Sequence, residues 1–116
     1  MNRLTLALGV ALAALVAAAP VAARPTTAAA TTVTVQMKEF KFVLSKKTVP
    51  HGAVTFKLVN KGTIKHDFKI AGKKSKLIAK GKSGTFTVTL KKGTYPYVCT
   101  VPGHAAAGMK GKLKVT

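Results

Sequence analysis

The sequence contains very few acidic residues. Its 116 residues include two acids, Glu39 and Asp67, against 20 lysines and arginines, which gives a formal net charge of +18. Most of the lysines are expected to form a solvated, soluble face. The functional alternative is a field that favours association with acidic proteins or anionic surfaces, at rates that fall as the salt concentration rises. Nucleic acid is not the expected partner, because neither a recognition helix nor a series of exposed aromatic residues accompanies the lysines.

Long apolar runs are confined to the start of the chain. A short basic segment, residues 1–3, precedes an apolar run at residues 4–19 and the small residues Val21-Ala22-Ala23. This order is typical of a secretory leader, so we predict a signal peptide at residues 1–23. A retained anchor is the alternative, although a span needs roughly 20 apolar residues. The product would be secreted, periplasmic or in the cell envelope, and would touch a membrane only peripherally or through an uncleaved leader.

Helical periodicity is missing after residue 23. Residues 24–32 are low in complexity and are predicted to be a flexible leader, followed by a single domain at residues 33–116. Within that domain, apolar residues alternate with polar ones over short segments separated by glycine-containing turns. These segments are 33–35, 40–44, 54–58, 68–70, 86–90, 95–99 and 113–115. The pattern predicts a small all-β protein, an antiparallel sandwich or barrel.

The one cysteine lies in a loop that also carries a histidine and a methionine. Cys99 is followed five residues later by His104, and Met109 lies five residues beyond that. A lone cysteine cannot form an internal disulfide, so Cys99 is an inert core thiol, an intermolecular partner or a ligand. A thiolate, an imidazole and a thioether form a soft, mixed ligand set that suits copper cycling between Cu(I) and Cu(II). Such a site needs one more imidazole from elsewhere in the chain.

Two other histidines could supply that imidazole. His51 lies between Pro50 and Gly52 in a tight turn, where a surface position is expected. His66 opens the segment His66–Ile70, and a histidine at the end of a strand can face inward. In isolation His66 would be interpreted as a packed or solvent-facing residue, but the Cys99 loop makes it the preferred second imidazole.

The segments that carry these residues resemble a known family. Asn60–Phe68 and Gly93–Met109 look like the corresponding parts of the cupredoxins, small blue copper proteins related to plastocyanin and azurin. The resemblance covers Val33 to Thr116 and implies an antiparallel Greek-key β-sandwich. Four residues separate Cys99 from His104, as in azurin-like and rusticyanin-like loops, whereas plastocyanins have two residues there.

The resemblance also implies a ligand set and a function. His66, Cys99 and His104 would bind one copper ion in a plane, and Met109 would be a weak axial ligand. The backbone carbonyl of Lys65 would be a contact on the opposite side. The protein would act as a monomer that carries single electrons to or from an acidic redox partner, or near an anionic cell-envelope surface.

Two neighbouring features follow from the same resemblance. Ala105 to Gly108 would form a hydrophobic rim through which the edge of His104 reaches solvent. Asp67 stands where several relatives have asparagine. It can accept hydrogen bonds from the ligand loop but cannot donate them when ionised.

Three alternatives to an electron carrier remain. A copper storage or delivery protein would favour exposed sites rich in Met and His, whereas this chain has only Met37 and Met109 after the leader. A copper oxidase would need further metal centres, which His51 alone cannot build, so we expect no enzyme activity. An exported β-sandwich with a buried thiol would leave the spacing of Cys99, His104 and Met109 unexplained.

Overall fold

The computed structural model describes residues 30–116, which fold into a two-layer β-sandwich. Nine strands make up the sandwich: β1 (Thr31–Lys38), β2 (Lys41–Leu44), β3 (Thr48–Val49), β4 (Gly52–Asn60), β5 (Lys69–Ile70), β6 (Lys73–Lys74), β7 (Ser83–Leu90), β8 (Gly93–Val98) and β9 (Lys110–Val115). Within residues 30–116 there is no helix, and hence none long and apolar enough to cross a bilayer. The predicted all-β Greek-key sandwich is confirmed.

The strands form two sheets, and each sheet is mixed. One sheet has the order β2-β1-β4-β7, and the other has the order β3-β9-β8-β5-β6. Two neighbouring pairs, β1 with β4 and β3 with β9, are parallel, so the expectation of purely antiparallel sheets is corrected. The parallel pairs arise because the chain leaves the first sheet after β2, adds β3 to the second sheet and then returns beside β1.

The alternating apolar residues form one core between the sheets. On β1 and β4, Val33, Val35, Phe56 and Leu58 are fully buried, while the residues between them face outward. Phe68 packs against four other rings of the core, those of Phe42, Phe56, Phe86 and Tyr97. Phe68 follows His66 and Asp67 in the sequence. Its packing within this aromatic cluster therefore anchors the segment that carries the first predicted ligand.

The predicted ligands lie at one end of the sandwich, and His51 lies at the other. The register places the ends of β4 and β8 and the starts of β7 and β9 at one end, where His66 and the Cys99 loop also lie. His51 lies at the opposite end, just before Gly52, which pairs with Leu90. Its side chain is exposed and its Nδ1 lies 3.0 Å from the carbonyl oxygen of Thr116. His51 is therefore a surface turn residue, as predicted.

The predicted leader falls largely outside the described part of the chain. The signal peptide at residues 1–23 lies outside it entirely, and so does most of the flexible segment at residues 24–32. Strand β1 begins at Thr31, two residues before the predicted start of the domain.

We expect Phe68→Ala to lower the free energy of unfolding of the metal-free protein by about 3–5 kcal/mol, because it opens a cavity within the aromatic cluster. Val43→Ala is the control, since Val43 is 42% exposed and should change stability by no more than about 0.5 kcal/mol. Urea denaturation followed by circular dichroism measures both. Equal costs for the two variants would contradict the assignment of Phe68 to the core.

Candidate metal centre

Three potential ligand atoms converge at one end of the sandwich. The Nδ1 atom of His66 lies 3.1 Å from Nδ1 of His104, and the Sγ atom of Cys99 lies 3.5 Å from the same nitrogen. The three donor atoms all lie within 4.8 Å of one another, and the three side chains are buried. Donors held at the roughly 2.0–2.1 Å typical of metal–imidazole bonds are about 3.5 Å apart in a trigonal plane. The spacing therefore fits a single ion.

The donor set also indicates which metal would fit. One thiolate and two imidazoles with a weak axial thioether are the ligands of blue copper sites. Met109 is fully buried, and its backbone connects to two of the donor residues: its N–H donates to the carbonyl of His104, and its carbonyl accepts from the N–H of Cys99, each at 3.0 Å. These bonds place Met109 at the base of the loop, and its role as an axial ligand stays a prediction.

Hydrogen bonds from Ile78 and Asn60 hold the backbone of the segment that carries His66. The N–H and carbonyl groups of His66 pair with those of Ile78 at 3.2 and 2.8 Å. The buried side chain of Asn60 donates to the carbonyls of Ile64 and Ile78 and accepts from the N–H of Gly62, each at 2.8 Å. Asn60 thus shapes the whole turn between β4 and His66.

Glu39 contacts the same turn from the other side. Its Oε1 atom accepts hydrogen bonds from the N–H groups of Thr63 and Ile64 at 2.6 and 3.0 Å, and it lies 3.3 Å from Nε2 of His66. The Thr63 hydrogen bond is the largest cause that lowers the pKa of Glu39 from 4.5 to about 2. Glu39 is therefore ionised at neutral pH and can only accept hydrogen bonds.

Asp67 links the two ligand-bearing segments directly. Its Oδ1 accepts a hydrogen bond from the N–H of Thr100 at 2.6 Å, and its Oδ2 accepts one from the Thr100 hydroxyl. Because Asp67 follows His66 and Thr100 follows Cys99, these bonds fix the distance between two of the donors. The predicted role of Asp67 as an acceptor from the loop is confirmed.

The loop between Cys99 and Met109 is a compact turn. The N–H groups of Ala107 and Gly108 bond to the carbonyls of His104 and Ala105 at 3.1 and 3.0 Å. Ala105–Ala107 therefore lie in a hydrogen-bonded turn. Gly103 precedes His104 with a φ of +83°, in a region that residues with a Cβ atom rarely adopt. The loop can therefore reverse its direction just before it places the His104 ring.

The outer side of His104 is apolar. Its ring packs edge-on against Phe40, with centroids 5.0 Å apart, and it lines a surface depression of about 550 Å³ together with Ile64 and Val101. His104 is only 7% exposed, so little of the residue reaches solvent. Ala106 and Ala107 are exposed but do not line the depression that contains His104, so the rim at Ala105 to Gly108 stays a prediction. Phe40 and Ile64 are large members of this surface that the sequence pattern did not reveal.

Cys99 is a buried thiol. It is 1% exposed, which excludes an intermolecular disulfide in the folded protein. Burial is the main cause that raises the pKa of the thiol in the metal-free protein. A metal ion would therefore have to displace a proton from Cys99 on binding.

The structure thus brings His66, Cys99 and His104 together, and it keeps His51 at the other end of the sandwich. The contact from the carbonyl of Lys65 stays a prediction. Sequence reasoning missed the supporting residues: Glu39, Asn60 and Thr100. For Glu39 a signal existed, because it is one of two acids in a chain with 20 lysines and arginines, and so rare an acid indicates a specific partner.

Comparison with known proteins agrees with this geometry. The sequence model of the Cupredoxin-like domain matches residues 6–115. The chain belongs to the cupredoxin family. Two curated relatives match a shorter segment of 37 residues: Auracyanin-B of Chloroflexus aurantiacus is 60% identical over 31% of this chain, and Rusticyanin of Acidithiobacillus ferrooxidans is 57% identical over 30% of it. These matches cover only 16% and 20% of the relatives' own lengths.

Solved structures of other cupredoxins share the fold over most of the domain. The structure of auracyanin B superposes with a TM-score of 0.67 at 26% identity, over 75% of this chain and 89% of that one. Auracyanin A of Chloroflexus aurantiacus, described as a "blue" copper protein, superposes with a TM-score of 0.64 at 26% identity, over 73% of this chain and 98% of that one.

Metal binding should release the thiol proton of Cys99. In weakly buffered solution between pH 7 and 8, where free histidine is already mostly neutral, we expect about one proton released per Cu(II) bound. A pH-indicator dye measures this during titration with copper. Cys99→Ser, which has no thiol to ionise, is the control and should release close to none. Binding without proton release by the unaltered protein would show that Cys99 is not a ligand.

Proposed function

We propose that this protein is an exported blue copper protein that carries single electrons between redox partners. The observation that carries the proposal is the convergence of His66 Nδ1, Cys99 Sγ and His104 Nδ1 in one buried cluster. Met109 is proposed as the weak axial ligand. A copper ion bound there would supply a Cu(I)/Cu(II) couple whose potential depends on the axial ligand and on the surroundings of the sulfur.

The protein's own contribution is a site that changes little between two charge states. The turn that carries His66 is held by Asn60 and Ile78, and the turn that carries Cys99 is held through Asp67 and Thr100. Ligands fixed in this way need not rearrange when the charge of the site changes by one unit. A small structural rearrangement supports rapid electron transfer, which favours a carrier.

His104 is the proposed route for the electron to a partner. Its ring lies between the buried thiol and the apolar depression at the surface. Phe40, Ile64 and Leu77, three exposed large apolar side chains, are 40–58% exposed. Phe40 packs on His104, Ile64 shares the depression with it, and Leu77 lines a neighbouring one with Val101. These residues give a partner an apolar contact close to the ring.

Lysines surround this apolar contact. Lys65 and Lys80 line the depression that contains His104, and Lys74 lines the adjacent one. Positive charge at this place favours an acidic redox partner, because it steers the partner's negative surface towards the end of the molecule that holds the site. An anionic envelope surface would be attracted by the same lysines.

The burial of the donors weighs against copper delivery. A protein that hands over its metal needs ligands that an acceptor can reach, whereas His66 and Cys99 are at most 1% exposed. In the described residues, the only His, Cys and acid cluster with ligand geometry is that of His66, Cys99 and His104. We therefore propose no enzymatic role. Export remains part of the proposal, supported by the apolar run at residues 4–19.

The copper-loaded protein should be intensely blue. We expect a strong thiolate-to-copper band in the visible spectrum that a reductant bleaches reversibly. Cys99→Ser should abolish the band, since it removes the thiolate. Met109→Leu should keep the band and raise the reduction potential, because losing the axial donor disfavours Cu(II). His51→Ala is the control and should alter neither. A pale spectrum with only weak bands from the unaltered protein would rule out the proposed site.

Charge at the site end should control the rate of electron transfer with anions. We expect Lys65→Glu/Lys80→Glu to slow oxidation by hexacyanoferrate(III) about tenfold at an ionic strength of about 0.1 M, where the Debye length is about 10 Å. Lys91→Glu/Lys92→Glu changes the net charge equally at the opposite end, roughly 25 Å away along the nine residues of β4. It should have a much smaller effect, because that distance exceeds the Debye length. Stopped-flow absorbance measures both rates, and equal slowing by the two double variants would refute this docking site.

A further inference from the structure

Glu39 stands out because it contacts a proposed ligand ring on the side away from the metal. It lies between β1 and β2, one residue after Lys38, and its side chain turns towards the segment that carries His66. Its Oε1 atom is 3.3 Å from Nε2 of His66. The His66 side chain is fully buried, and that of Glu39 is 27% exposed, so solvent screens this pair only in part.

The contact determines the tautomer of His66. The carboxylate also accepts hydrogen bonds from the N–H groups of Thr63 and Ile64. An oxygen that accepts several hydrogen bonds and donates none is that of an ionised carboxylate. An acceptor facing Nε2 requires that nitrogen to carry the proton of the ring. Nδ1 of His66 is then left without a proton, and it points towards His104 and Cys99. Glu39 thus presents the free lone pair of His66 to the place where the donors converge.

Gly62 makes room for this arrangement. A Cβ atom at residue 62 would lie 2.5 Å from Oε1 and 2.7 Å from Oε2 of Glu39, which is far inside van der Waals contact. The glycine has no unusual φ, so its function here is the close approach of the carboxylate. Gly62 therefore leaves space for the carboxylate of Glu39 to contact the turn that carries His66.

A carboxylate on the distal nitrogen also changes the electronic character of the ring. Carboxylate–histidine–metal arrangements orient the imidazole and raise its basicity. A more basic imidazole, with a full negative charge behind it, stabilises the more highly charged ion. The effect on Cu(II) should therefore exceed the effect on Cu(I).

We propose that Glu39 is a positioning residue that fixes the Nε2–H tautomer of His66 and biases the site towards Cu(II). The proposal deepens the proposed copper function and rests on it. The other acid, Asp67, differs in that it bonds to Thr100 and not to an imidazole. It therefore offers a comparison with the same change in charge but no change in a hydrogen bond to an imidazole.

The test compares Glu39→Gln with Asp67→Asn. Glu39→Gln keeps the size of the side chain and removes its charge. We expect it to lower the ratio of Cu(II) to Cu(I) affinity about tenfold, within the range found for such outer partners. For a one-electron couple, that ratio corresponds to a rise of about 59 mV in potential. Asp67→Asn should give a smaller rise. Spectroelectrochemical titration measures the potentials, and an equal rise in the two variants, or none in Glu39→Gln, would overturn the proposal.

A second readout needs no copper. Nitrogen-15 NMR of the metal-free protein, recorded above the titration of its histidines, distinguishes the two tautomers of His66. We expect Nε2–H alone in the unaltered protein and a mixture in Glu39→Gln, since an amide can also donate a hydrogen bond. The Nδ1–H tautomer in the unaltered protein would overturn the proposal. Failure to form a blue site would instead count against the copper function, and the NMR result would still decide the role of Glu39.

Discussion

The proposed metal site depends on the hydrogen bonds that two carboxylates accept from the ligand-bearing turns. Glu39 accepts from Thr63 and Ile64, and Asp67 accepts from Thr100. These turns lie where the strands have ended, so their N–H groups have no partner in a sheet. Each N–H left unpaired in a partly buried position would cost about 1–3 kcal/mol. Glu39 and Asp67 are the two acids of the chain, and both are used to hold the site.

The same arrangement connects fold and charge with function. The sandwich brings the ends of β4 and β8 and the start of β9 to one end, and the ring of Phe68 closes the core behind them. The lysines lie on the surface of the sandwich, whereas the two acids lie at the turns that carry the ligands. An acidic partner would meet lysines and an apolar contact beside His104, because both acids are hydrogen-bonded to the ligand turns. A rigid donor set and a charged approach surface together suit a carrier of electrons.

Much of the fold could be predicted from the sequence because its causes are local. Alternation along β1, β4 and β7 indicates strands with one buried face. Cys99, His104 and Met109 could be recognised as a group because all three lie in one short loop of the chain. The parallel pairing of β1 with β4 could not be read in this way, since it depends on where the chain changes sheets. Glu39 was missed for the same reason: it is 27 residues from His66 in sequence and meets it only through the sandwich. Phe40 follows an alternating pattern, yet its ring leaves the core to cover His104.

We expect the fold to hold His66, Cys99 and His104 in place whether or not metal is bound and whatever its charge. Crystal structures of the metal-free, Cu(I) and Cu(II) forms, superposed on the core strands, would measure this. We predict that the three donor atoms differ by no more than about 0.5 Å among the forms, the tolerance expected of a site held by its supporting shell. Rotation of either imidazole out of the cluster in the metal-free form, or loss of a ligand on reduction, would show that the fold does not hold the ligands.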